Sequence, residues 1–142
     1  MNTHHRPPDD RTPATTDELY ALAWSLHERA RAAGRLEVAY HALAAALHAA
    51  EDGADNERIE AVGVRARQEQ ERIDRELPGH WLATAVQAGR EVHDGTHHTP
   101  LYTMLARTAA AARARAAADS VVRRAEQRRH PPGAPRGAAS GG

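Results

Sequence analysis

From Thr15 to His130 the apolar residues recur at steps of three and four rather than two, the spacing of one face of an α-helix. Thr15, with Glu18 three residues on, has the spacing of a reciprocal N-cap and opens a first helix. Leu19, Leu22, Leu26, Ala30 and Ala33 follow as one stripe predicted to face a partner, and Gly34 supplies the stop. A second helix is predicted over Arg35 to Ala50. Its larger stripe runs through Leu36, Tyr40, Leu43 and Leu47, beside a small-residue stripe of Ala39, Ala42, Ala46 and Ala49. Two faces of different width predict two neighbours and put this helix at the centre of a bundle.

A third helix is predicted from about Asp55 to Leu77, ended by Pro78 and Gly79. Its stripe is thin: Ile59, Val62, Ala66, Ile73 and Leu77. Opposite charges four apart fill the rest, Arg65 with Glu69, Arg67 with Glu71, Glu71 with Arg75 and Arg72 with Glu76, so most of its surface is predicted to face water. His80 to Val92 predicts a short fourth helix through Trp81, Leu82, Ala85 and Val86. After a loop, Thr99 as cap and Pro100 at the first helical position open a last helix, packed through Leu101, Met104 and Leu105. Beyond Leu105 only Val121 and Val122 are large, so the alanine and arginine run is expected to project or fray.

Composition modifies this picture at the ends. The chain has 142 residues and 32 alanines, but only 19 leucines, valines and isoleucines together. Most of the leucines lie between Thr15 and Leu105, so the expected organisation is a helical core over 15–106 and an Ala/Arg-rich helical extension over 107–130. The arm at 1–14 and the Pro/Gly/Ala/Ser tail at 131–142 have nothing to bury and are expected to be disordered. The fold class is therefore all-α, built of antiparallel helical hairpins in a small bundle or short array. The formal charge of zero hides a division: residues 1–98 hold 11 arginines against 17 acids, a balance of −6, and residues 99–142 hold 8 against 2, a balance of +6.

With no cysteine there is no disulfide, thiolate nucleophile or iron–sulfur cluster. No apolar run approaches the roughly 18–20 residues that span a bilayer. Met1 to Ala14 carries charge and proline where a signal peptide needs an apolar stretch, so the expectation is a cytoplasmic protein without membrane contact.

Leu22 to Leu47 resembles a single tetratricopeptide repeat, a unit of two antiparallel helices over about 34 residues. Leu26, Gly34, Ala39, and Ala46 followed by Leu47 stand at that family's relative spacings, and Gly34-Arg35-Leu36-Glu37-Val38-Ala39-Tyr40 is similar to its turn. The chain departs from the pattern at His27, Ala30 and Glu51, where the family carries a glycine, an aromatic and a closing proline. The resemblance implies a scaffold that holds peptides or helices in a groove, and it brings no catalytic residues.

Candidate chemistry is sparse. His41 and His48 lie seven apart on the second helix with Glu37 and Asp52 on the same face, but seven residues span about 10 Å, too far for two imidazoles to share an ion unaided. Histidine phosphotransfer domains also display a bundle histidine, but follow it with a lysine, and this chain has none. His93, His97 and His98, with Asp94 and Gly95, form a loop cluster of the residue types that bind zinc, nickel or copper. No glycine-rich phosphate loop and no Ser-His-Asp arrangement occurs. Arg123, Arg124, Arg128 and Arg129 cluster on neighbouring turns and can neutralise phosphates or acidic protein, although the aromatics of a single-strand binder are missing. Tyr20 and Trp24 form a pair off the leucine face of the first helix, and with Tyr40 they are the candidate partner contacts.

The leading expectation is a protein–protein interaction module, a scaffold or adaptor without catalytic activity or cofactor, binding a protein partner or a second copy. The alternatives are a metal-binding protein using the histidine loop and a nucleic-acid accessory protein using the arginine helix.

Overall fold

The computed structural model describes residues 12–95 and 98–133, with the backbone alone at 91–94. Almost all of the 1–14 arm and of the 131–142 tail lies outside the described residues, as does His97. Five helices and no strand occur among the described residues: α1 (Thr16–Ala32), α2 (Leu36–Asp52), α3 (Asn56–Glu76), α4 (Thr84–Asp94) and α5 (Leu101–Arg129). They fall into two compact units, Met1–Gly53 and Ala54–Gly142.

The first unit is the α1–α2 hairpin. The Thr15 hydroxyl accepts a hydrogen bond from the Glu18 amide at 3.2 Å, satisfying one of the donors that a helix start leaves open. Gly34 ends α1 with φ at 71°, a left-handed conformation that only glycine adopts without steric cost. There the Arg35 amide donates to the Ala30 carbonyl at 2.8 Å and the Gly34 amide to that of Arg31 at 3.1 Å, the paired bonds of a Schellman cap. The returning helix runs antiparallel: His27 bonds Ala39, and a Cβ on Gly53 would lie 3.0 Å from the Thr16 hydroxyl. On α2 the arc of Leu36, Ala39, Leu43, Ala46, Leu47 and Ala50 is buried. Fully burying a leucine contributes about 1.5–3 kcal/mol, so Leu43 and Leu47 anchor this helix.

The stripe on α1 corrects the sequence-based expectation. Leu19, Leu22 and Leu26 are 48%, 66% and 51% exposed and Ala33 is exposed too, while Ala30 of the same stripe and His27 on the adjacent face are buried. The helix lays its Tyr20, Ala23, Trp24, His27, Ala30 face inward and turns its leucines outward.

The second unit is built on α3 and α5. Asp55 caps α3 by accepting from the Arg58 amide at 3.1 Å. Gly63 faces Ala109, and Glu60 meets Arg113 at 2.8 Å. As the α3 number falls by three the α5 number rises by four, so the helices run antiparallel. Their contact is close because small residues meet on it: a Cβ on Gly63 would sit only 3.2 Å from that of Ala109. Ile59, Val62, Ala66 and Ile73 are buried as their stripe predicts, together with Leu82, Tyr102 and Leu105. Leu77 and Met104 were expected to pack and are instead exposed. Pro100 is itself the cap residue of α5, which begins at Leu101 with no side-chain cap from Thr99.

Asp74 of α3 takes the place of a local cap for α4. Its carboxylate accepts from the Thr84 amide and the Thr84 hydroxyl, both at 2.8 Å, while the Gln70 amide donates to the Leu82 carbonyl at 3.0 Å and to Asp74 at 3.1 Å. The Asp74→Ala variant is expected to lose about 1–2 kcal/mol of stability and part of the α4 helicity, read from a urea midpoint and from circular dichroism. An unchanged midpoint would mean that water replaces the carboxylate without cost.

Candidate protein-interaction surface

Two faces of α1 have opposite fates, and the reason lies in what each can satisfy. His27 is fully buried and its Nδ1 lies 2.8 Å from the Ala39 carbonyl. A carbonyl only accepts, so Nδ1 carries the proton and donates, tying α1 to α2. Trp24 packs beside His27 with ring centroids 6.1 Å apart, and Tyr20 stacks on Trp24 at 5.8 Å. Both rings are half-buried and continue the inward face. Tyr40 is half-buried against His41, edge to face at 5.1 Å. The three aromatics expected from sequence as partner contacts are thus half-buried, each beside a ring on its own helix. The leucines are what the hairpin leaves in water.

Leu19, Leu22 and Leu26 stand at i, i+3 and i+7, one line along the helix. Single exposed apolar residues are ordinary on protein surfaces, whereas a run of large ones in a line is the pattern of a contact face. Periodicity found this stripe but assigned it to the wrong side. The signal that decides is the histidine: its ring could be buried only against a backbone acceptor.

The second unit carries an open groove on the α3–α5 seam. One stretch, of about 390 Å³, has Gly63, Arg67, Ala110 and Ala114 among its walls, and the next, of about 370 Å³, has Arg67, Gln70, Arg107 and Ala110. The two share Arg67 and Ala110 and so form one line of small residues edged by charge, with Arg67, Arg107 and Arg113 against Glu60 and Glu71, an excess of one positive charge. Gln70 on this line is buried, and its Oε1 has no hydrogen-bond partner among the described residues. Neither Arg67 nor Arg107 forms an ion pair among the described residues.

At Asn56 the α3 helix begins, opposite about Ala117 by the register of the seam. The remaining α5 residues to Arg129 overhang it by about 18 Å at 1.5 Å per residue. Arg123, Arg124, Arg128 and Arg129 lie on this overhang, all exposed and without ion pairs among the described residues. They point around the helix rather than along one side, since steps of one, four and one spread them by about 100° per residue.

The histidines are dispersed. His41 and His48 are both exposed on α2, His98 is half-buried ahead of α5, the side chain of His93 lies outside the described residues and His97 lies wholly outside them. Among the described residues no group of three or more His, Asp or Glu side chains could hold a metal ion, and no helix is long and apolar enough to cross a membrane.

Buried charge appears where the ladder on α3 predicted a wet face. Glu69 is 1% exposed and meets Arg72 at 3.1 Å, with Glu76 reaching the same guanidinium at 3.5 Å. The hydrogen bond that Arg72 donates to the Glu69 carboxylate holds the guanidinium above its usual pKa, against the opposing effect of burial.

No family model, curated protein or solved structure matches this chain.

Proposed function

We propose that this chain works by protein–protein association, as a small scaffold or adaptor without catalytic chemistry, and that the outward leucine face of α1 is its contact surface. The observation that carries this reading is the exposure of Leu19, Leu22 and Leu26 in one line on a helix whose adjacent face is packed. An apolar line of this kind docks on a groove or on another helix, where the leucines fill holes between side chains. The likeness of the first hairpin to a tetratricopeptide unit points the same way, since such units act by holding other proteins.

The experiment is sedimentation of the purified chain. Association between copies gives a mass above 15.4 kDa, and Leu22→Glu, which places a charge at the centre of the line, is expected to return it to the single-chain mass with helicity unchanged. A chain that sediments at 15.4 kDa whether or not Leu22 is replaced overturns self-association. Substitution of Trp24 is the matching control for the aromatic surface expected from sequence. Because Trp24 packs on Tyr20 and His27, its loss is expected to act on thermal stability before it acts on mass.

A further inference from the structure

The association reading leaves open what receives the leucine line, and the second unit contains a surface of complementary form. The α3–α5 groove has a small-residue floor at Gly63, Ala110 and Ala114, which makes room for branched side chains entering from outside. A groove of alanines and a ridge of leucines are the two halves of a helix contact, large into small.

Charge gives a second, independent argument. Met1–Gly53 holds five arginines against eight acids, a balance of −3, while Ala54–Gly142 holds fourteen against eleven, a balance of +3. Asp17 and Glu18 stand at the start of the leucine line, and Arg67 and Arg107, without ion pairs among the described residues, edge the groove. The attraction is therefore between unlike surfaces. Two leucine faces brought together would instead bring two acidic units into contact, and like charges across an interface cost affinity.

We propose that the α3–α5 groove of one copy receives α1 of a second copy, with Leu19, Leu22 and Leu26 seated over Gly63, Ala110 and Ala114. The contact is heterologous, joining different patches on the two chains, so it closes only when each copy both gives its helix and offers its groove. This rests on the association reading of α1, and the test separates the failure of one from the failure of the other.

Two variants are made, each at an exposed position: Leu22→Glu spoils the ridge, and Ala110→Glu fills the groove and removes its positive excess. Circular dichroism confirms that both keep their helicity, and Ala114→Glu serves as a second groove variant. Each variant alone is expected to sediment as a single chain, with self-affinity lowered at least about tenfold, or about 1.4 kcal/mol. Mixed in equal amounts, they are expected to associate again, because the groove variant still has its ridge and the ridge variant still has its groove. Raised salt is expected to weaken the mixed pair.

If Ala110→Glu and Ala114→Glu associate as the unaltered chain does while Leu22→Glu does not, ridge meets ridge; the groove proposal is then overturned and the association reading stands. A mixture that stays monomeric when both variants fail alone also overturns the groove proposal. An unaltered chain that is monomeric overturns the second-copy proposal and self-association together.

Discussion

Replacing Leu43 by alanine is expected to lower the unfolding free energy by about 2–5 kcal/mol, because the leucine is completely buried and the lost methyl groups leave a cavity that α2 cannot collapse to fill. The surroundings make the upper part of that range the better expectation. Ala39, Ala42, Ala46 and Ala50 on the same helix are also buried and have no longer side chain to swing into the space. A urea titration checks it. The midpoint falls with little change in slope if the native fold survives, whereas Val121→Ala on the exposed overhang of α5 is expected to shift stability by less than about 0.5 kcal/mol. Equal effects at the two positions would show that Leu43 is not part of a packed core.

The second large effect is expected at Glu69. Removing its carboxylate with Glu69→Ala leaves the Arg72 guanidinium half-stranded, and breaking a buried pair from one side costs about 3–5 kcal/mol. Arg72 retains some exposure and keeps Glu76 within 3.5 Å, so about 3 kcal/mol is the appropriate expectation. Glu69→Gln retains the shape and an acceptor and is expected to cost less than the alanine variant. The comparison is made by urea unfolding of both variants and the unaltered chain: a glutamine variant as stable as the unaltered chain would show that the charge on Glu69 does not matter, and an alanine variant as stable as the glutamine one that the retained acceptor does not.

Local chemistry was legible along the sequence because it is written within a few residues. Thr15, Gly34 and Asp55 act at the helix ends where their side chains, or the lack of one, predict it. Five helices follow from the same spacing rules, with α1, α2, α3 and α5 displaced by a residue or two from their expected limits and α4 beginning four residues later than expected, beyond Trp81 and Leu82, where Asp74 caps it. Pairing was less legible. Helix α1 carries two apolar faces, and a period of 3.6 residues cannot say which of them a neighbour covers. The leucine face has the larger transfer free energy, yet the aromatic face contains the residue that can bond to α2 across the hairpin. Glu69 illustrates the same limit on α3. Opposite charges four apart mark a solvated helix face when nothing covers it, and here the rest of the fold does. The groove could not be found from spacing at all, since Gly63 and Ala109 are brought together only by the antiparallel return of α5. Tyr20 and Trp24 stand off the leucine face, as their spacing predicts, and both remain half-buried.

The two ends of α5 are held by different forces. Its first turns are locked by Tyr102, Leu105 and Ala109, whose release requires the second unit to open, whereas the overhang past α3 is helical on the strength of alanine and arginine propensity alone. Its amide protons are therefore in exchange with solvent through local fraying, at a free energy well below that of global unfolding. A segment of this kind can be ordered or melted by its surroundings without disturbing the core, so the working length of α5 is set by conditions rather than by packing.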